Sequence, residues 1–210
     1  MTFTGFPAEA LDFYEGLEAD NTKTYWTQHK ATYESCVRAP MAALCDELAP
    51  EFGEPYLFRP YRDLRFARDK SPYKEHQGAT VGHGYVHISA AGLFAAAGYY
   101  QMAPDQLGRY RAAVDEETTG VVLERLVAKL RAAGYTIGGD RLKTRPRGYD
   151  AEHPRIELLR HRTVVAWVDF GAPEWLHTQE AATRVAAAWR ELMPLQEWLD
   201  DHVGPPREPH

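Results

Sequence analysis

Long apolar runs are absent from this 210-residue chain. With no stretch of about 18 apolar residues, no membrane-spanning helix is expected. Residues 1–7 (MTFTGFP) hold no basic group leading into an apolar run, so no secretory leader is expected and the cytoplasm is the expected location. Cysteine is scarce as well. The two present, Cys36 and Cys45, fall in a stretch of helical character; nine residues at about 1.5 Å each put their Cα atoms about 13 Å apart, beyond the roughly 7 Å reach of a disulfide. Both are read as reduced thiols that pack as small hydrophobes. No CxxC, HExxH, GxxxxGK[ST], helix-opening GxGxxG or GxSxG occurs, which removes the usual zinc, P-loop, dinucleotide and nucleophile-elbow signatures. Positive charge is also in deficit, with 24 Lys and Arg against 30 Asp and Glu for a net −6. A general attraction to nucleic acid or acidic membrane needs the opposite sign.

What the chain does hold is apolar and aromatic surface: 44% hydrophobic residues and 12% aromatics, an ordinary globular composition and neither a disordered nor a coiled-coil one. After Pro7, Leu11, Tyr14 and Leu17 recur at helical spacing to about Ala19. Asn21 or Thr22 caps a second helix bearing Trp26, Tyr33 and Val37, and Pro40 either kinks it or opens a new turn through Leu44 and Leu48 to Pro50. Residues 56–59 and 63–66 are strand-like, a turn-rich charged segment follows to Gly84, and strands at 85–88 and 93–102 are joined by a turn at 90–92. Helices are expected from Pro104 to about Glu117 and from Val121 to Ala133, with Gly134 as the stop. A hairpin of 135–137 with 141–143, a short helix from Asp150 or His153 through Leu159, a strand at 163–170 and a helix at 179–199 complete the order. The expected fold is α+β, a single domain over residues 1–203 with a mainly antiparallel sheet of about five strands packed with helices; residues 204–210 are expected to form a flexible tail.

Charge is concentrated. Between residues 59 and 74, Arg59, Arg62, Arg65, Arg68, Lys70 and Lys74 stand against Asp63 and Asp69, a local +4 that leaves about −10 on the rest of the chain. Prolines and aromatics alternate with these cations and limit their mobility, and arginine, whose planar fork chelates carboxylate or phosphate, predominates. An extended segment would turn Asp63 and Arg65 to one side and Arg62 to the other, so Arg65 with Lys70, held by Asp63, is the preferred anion-holding pair. Arg141, Lys143, Arg145 and Arg147 form a second cluster ahead of Asp150, where a helix start would add free N–H groups.

Three readings compete for these clusters. A small-molecule site would hold an anion on the cations, with Asp63, Tyr73 or His153 exchanging a proton if it is catalytic. A structural ion-pair network with a protein-interaction role needs no ligand. Single-stranded nucleic acid would stack on Tyr61, Tyr73 and Trp26. Ser71 is read as a turn residue. No metal and no cofactor is expected: on a strand His83 and His87 lie about 13 Å apart, too far for one ion, which leaves only His76, His83 and His153 as scattered candidates.

The run from Arg59 to Tyr73 (RPYRDLRFARDKSPY) resembles the signature of the bacterial family called domain of unknown function 2461, written RxxRDxRFxxxKxPY, and every specified position matches. Residues 21–33 (NTKTYWTQHKATY) look like the family's early helix, with Asp20 where an asparagine is expected. Leu142 and Lys143, residues 146–149 (PRGY), His153 and Pro154 look like its second block. The resemblance implies a shared site and brings no substrate, cofactor or mechanism with it. The expected ligand-binding set is Arg59, Arg62, Asp63, Arg65, Lys70, Tyr73, Lys143, Arg147 and Tyr149, lining a pocket for a small phosphorylated or carboxylated molecule.

Overall fold

A computed structural model describes residues 2–63, 65 and 69–207. Arg68 and Phe66, both expected in the basic cluster, lie outside the described residues, as do Leu64 and the last three residues of the expected tail.

Helix α1 (Glu9–Ala19) buries Ala10, Phe13, Tyr14 and Leu17; of the residues its spacing marked, Tyr14 and Leu17 are buried and Leu11 is only partly so. Thr22 caps α2 (Lys23–Thr32), its hydroxyl accepting from the Tyr25 N–H at 3.2 Å. The helix then runs on through a π turn, Tyr33–Arg38, into α3 (Ala39–Phe52). Pro40, which has no N–H to give the ladder, stands just after that turn, so the wider π geometry takes up the interruption without a break.

The strands are β1 (Pro55–Leu57), β2 (His76–Val81), β3 (Gly84–Ser89), β4 (Gly92–Tyr99), β5 (Thr136–Gly138) and β6 (Val164–Gly171), in one six-stranded sheet of order β1-β2-β3-β4-β6-β5. The registers of β1 with β2, β2 with β3 and β5 with β6 are antiparallel. β2 and β3 join through Gly82 and His83, and Gly82 has φ 55°, the left-handed first position of a two-residue hairpin turn. A Cβ at Gly82 would collide with the Phe52 carbonyl, so glycine is required twice over. Helices α4 (Pro104–Asp115), α5 (Glu117–Ala132), the four-residue α6 (Ile156–Leu159) and α7 (Glu180–His202) complete the chain, with Gly134 at φ 93° closing α5.

Several expectations need correction. The segment read as turn-rich is strand β2, concealed because Gly78 and the polar His76, Gln77 and Thr80 dilute its pattern. Asp63 is in no strand; the pairing nearby is a single bridge between Tyr61 and Tyr73. Residues 141–143 do not pair with β5, whose partner is β6; Arg141 instead bridges His161. The helix expected from Asp150 or His153 starts only at Ile156. At four residues it is too short to offer an anion-binding terminus, and the Ile156 and Leu158 N–H groups already donate to the His153 and Arg155 carbonyls.

The chain divides into two compact units, residues 1–95 with 169–188 and residues 96–168 with 189–210. In the first, Phe13, Leu17, Tyr33, Met41 and Leu44 meet Ala79, Val81, Val86 and Ile88 from the helical side of β2 and β3. In the second, Tyr110, Leu123, Val127, Leu159, Leu192 and Trp198 form the core. Each Phe, Leu, Met, Val or Ile among them contributes about 1.5–3 kcal/mol on burial. Among the described residues no helix is long and apolar enough to cross a membrane.

Candidate functional site

In the first unit the basic segment is closed at its base like a clasp. Arg62 N–H donates to the Pro72 carbonyl at 3.0 Å and Lys74 N–H to the Pro60 carbonyl at 2.8 Å, on either side of the Tyr61–Tyr73 bridge. Asn21, from the turn before α2, completes it: its Nδ2 donates to the Tyr73 carbonyl at 3.0 Å and its Oδ1 accepts from the Tyr73 N–H at 3.1 Å. Trp26 stacks on Tyr73 with ring centroids 4.2 Å apart. Tyr33 Oη donates to Gln77 Oε1 at 2.5 Å, and Gln77 Nε2 donates to the Phe58 and Gly78 carbonyls. The early helix and the signature run, which look like separate blocks in sequence, are thus one construction.

Within the clasp the charges sort into two groups. Arg65 is tied to Asp63 by guanidinium hydrogen bonds of 3.0, 3.2 and 2.6 Å, and these, with the Arg65 N–H, hold the Asp63 carboxyl below its ordinary value. Arg62 pairs with Asp69, whose value falls to about 2 because the Ser71 hydroxyl and N–H donate to it, with Arg62 adding to the effect. Ser71 is therefore a turn residue, as its sequence setting suggested. Arg59 and Lys74 behave differently. Lys74 lies with its Nζ 5.3 Å from the centre of the Phe58 ring, and burial together with the Arg59 guanidinium lowers its pKa. Among the described residues neither cation forms an ion pair. Lys70 is exposed, whereas Tyr73 is buried at 5% and turned into the aromatic cluster.

The clasp borders the sheet face opposite the helices. On it His76 and His87 lie 5.0 Å apart between ring centroids, His87 stacks on Phe94 at 4.5 Å, and Tyr85 and Phe58 cover Gly78. Burial, then Lys74 and Arg62, lower the His76 pKa against a weaker pull from Glu75. Burial, then His76, lower His87 to about 4 against Asp169. Both rings are uncharged at neutral pH. Nδ1 of His87 is buried without a hydrogen-bond partner among the described residues, which favours the proton on Nε2, since a buried lone pair left unmatched costs less than a buried N–H. This pair escaped the sequence reading because it spans the β2–β3 hairpin, where Gly78 faces His87. Recognising β2 as a strand is the signal that reveals it.

In the second unit Lys143 and Arg147 are exposed and Tyr149 is partly buried. Arg160 holds the Leu142 and Lys143 carbonyls at 2.9 and 2.7 Å, and Arg145 donates to the Tyr149 carbonyl. His153 is already committed, accepting from the Arg155 N–H at 3.0 Å while its Nε2 lies 3.1 Å from Asp115. This unit has an open groove of about 870 Å³, whose charged lining residues, Arg162 and Asp140, pair with each other. None of the expected site residues lines it. Among the described residues no group of three or more His, Cys, Asp or Glu side chains is placed to hold a metal ion.

A mixed α+β chain with a basic clasp beside a histidine-bearing sheet face is the class of protein these observations define. The model of the conserved hypothetical protein family DUF2461 matches residues 9–198, and the chain belongs to that family. No curated protein matches it.

Proposed function

We propose that the clasp of the first unit binds a small phosphorylated or carboxylated molecule, with Arg59 and Lys74 as its principal cations and the neutral His76 and His87 as hydrogen-bonding groups at its edge. The observation that carries this is the crowding of Lys74 by Arg59 in a half-buried position without an ion-pair partner among the described residues. Like charges held together repel, and an anion bridging them reverses the sign of that interaction. Arg62 and Arg65 serve the geometry of the loop through Asp69 and Asp63, and Lys70 is exposed on the same loop. Lys143, Arg147 and Tyr149 lie in the second unit and are assigned no part in this binding. The unbridged Cys36 and Cys45 accord with a reducing cytoplasm as the place where the ligand is met.

The test is a thermal-shift titration with inorganic phosphate, phenyl phosphate, citrate and a short oligothymidylate. Wild type is compared with the double variant Arg59→Gln/Lys74→Gln and with Arg65→Gln. A ligand of the folded state raises the apparent stability by mass action. Saturable stabilisation by the small anions, lost in the double variant and kept in Arg65→Gln, is expected. Equal stabilisation of the double variant refutes the site, and a response to the oligothymidylate alone transfers the clasp to nucleic-acid binding.

A further inference from the structure

The second unit holds a smaller cavity of about 250 Å³ between one face of α5 and the segment from Pro154 to His161. Glu124, Val127, Ala128 and Arg131 line it from the helix; their spacing of three, four and seven residues is that of a single helical face. Pro154, Arg155, Glu157, Leu158 and His161 line the other side.

Most of the polar groups there are already matched. Arg155, 4% exposed, donates to the Val114 and Asp115 carbonyls and to Glu117. Glu157 pairs with Arg141 through one oxygen and with Arg160 through the other. Three groups are left. His161 is buried at 1% exposure with Nδ1 3.1 Å from the Thr163 carbonyl, so Nδ1 carries the proton and Nε2 presents a lone pair that nothing among the described residues engages. Burial and the Arg141 and Arg131 guanidiniums lower its pKa against the Thr163 carbonyl and Glu157, which keeps the ring uncharged at neutral pH. Glu124 and Arg131 have no ion-pair partner among the described residues. The Nε2 lone pair is reachable from the adjoining cavity, where a donor of a ligand can meet it.

The unmatched groups are two acceptors, Glu124 and His161 Nε2, and one guanidinium, beside an apolar wall of Val127, Ala128 and Leu158. We propose that this cavity binds a small free amino acid with an aliphatic side chain: its ammonium donates to Glu124 and to His161 Nε2, its carboxylate meets Arg131, and its side chain lies on the apolar wall. An ammonium has three donors and so serves both acceptors at once, which a hydroxyl does not. At about 30 Å³ per water the cavity has room for about eight non-hydrogen atoms, the size of valine. This site is independent of the clasp and its fate does not depend on the anion reading.

The experiment titrates glycine, L-alanine, L-valine and L-leucine into the full chain labelled with nitrogen-15 at histidine, following the ring nitrogens of His161. Isovalerate and isobutylamine, which lack the ammonium and the carboxylate respectively, are the matched controls. A saturable shift of Nε2 at or below about 10 mM is expected from at least one amino acid. The two controls, and the surface variants Arg131→Gln and Glu124→Gln, should bind at least about ten-fold more weakly, as loss of a charged contact requires. Arg59→Gln should bind as wild type does. No shift from any of the four amino acids overturns the proposal. So does binding that leaves the His161 nitrogens unmoved, or that both surface variants retain in full. The surface variants carry the decision because substitution of His161 itself disturbs the core.

Discussion

The side chain of Asn21 grips the backbone of Tyr73 from both ends, donating to its carbonyl at 3.0 Å and accepting from its N–H at 3.1 Å, so a single amide acts as the neighbouring strand that this position lacks. Only an amide has a donor and an acceptor at this spacing. Asn21→Ala is expected to lower stability by about 1–3 kcal/mol, because both Tyr73 groups lose a partner. Asn21→Asp, which keeps only the acceptor, should fall between the two. Urea denaturation of the three proteins measures the order, and a variant as stable as wild type would show that the clasp closes without Asn21.

His87 gives the protein an acid-sensitive step. Its folded value near 4 lies below its ordinary 6.5, so as the pH falls through 6.5 the unfolded chain takes up a proton that the folded state refuses. Stability due to this group is intact above pH 6.5 and is lost as the pH drops toward 4, by an amount on the order of 3 kcal/mol. His87→Phe, which keeps a ring against Phe94, should flatten that limb of the stability profile. Denaturant midpoints measured across this range give the comparison, and an unchanged slope would assign the acid sensitivity elsewhere.

Arg155 ties the end of α4 to the start of α5 through Val114, Asp115 and Glu117. Arg155→Met preserves much of the volume but strands two carbonyls, and a loss of about 3 kcal/mol is expected. Arg155→Lys should recover only part of it, since an ammonium lacks the fork that reaches several acceptors. Thermal unfolding of both variants reads the difference directly.

The two thiols should differ in reactivity. Burial, with Asp46 adding to it, pushes Cys45 up to about 12, while Cys36 is partly exposed beside Ser35. A disulfide reagent at mildly alkaline pH is expected to modify one thiol per folded chain and the second only after denaturation, because the thiolate is the reacting species. Rapid modification of both in the folded protein would contradict the burial of Cys45.

Much of the architecture could be read from local pattern. The helical spacing of Tyr14 and Leu17, the Thr22 cap and the Gly134 stop all lie within a turn or two of the residues they govern, so short-range rules suffice. Strand β2 could not be read so, because its polar positions face partners on other strands and its buried Gln77 is matched by Tyr33, forty-four residues away in sequence. With β2 unread, His76 and His87 could not be seen as neighbours.

The sequence by itself determined the fold class, the family and the concentration of positive charge between residues 59 and 74, because each depends on residue identity and close spacing. Only the tertiary structure decided which of those charges are already matched. Arg62 and Arg65 find Asp69 and Asp63, while Lys74 lies over Phe58 under the repulsion of Arg59. Electrostatic pairing is a matter of distances of a few ångströms, and residues close in sequence gain or lose those distances according to how the chain is folded back.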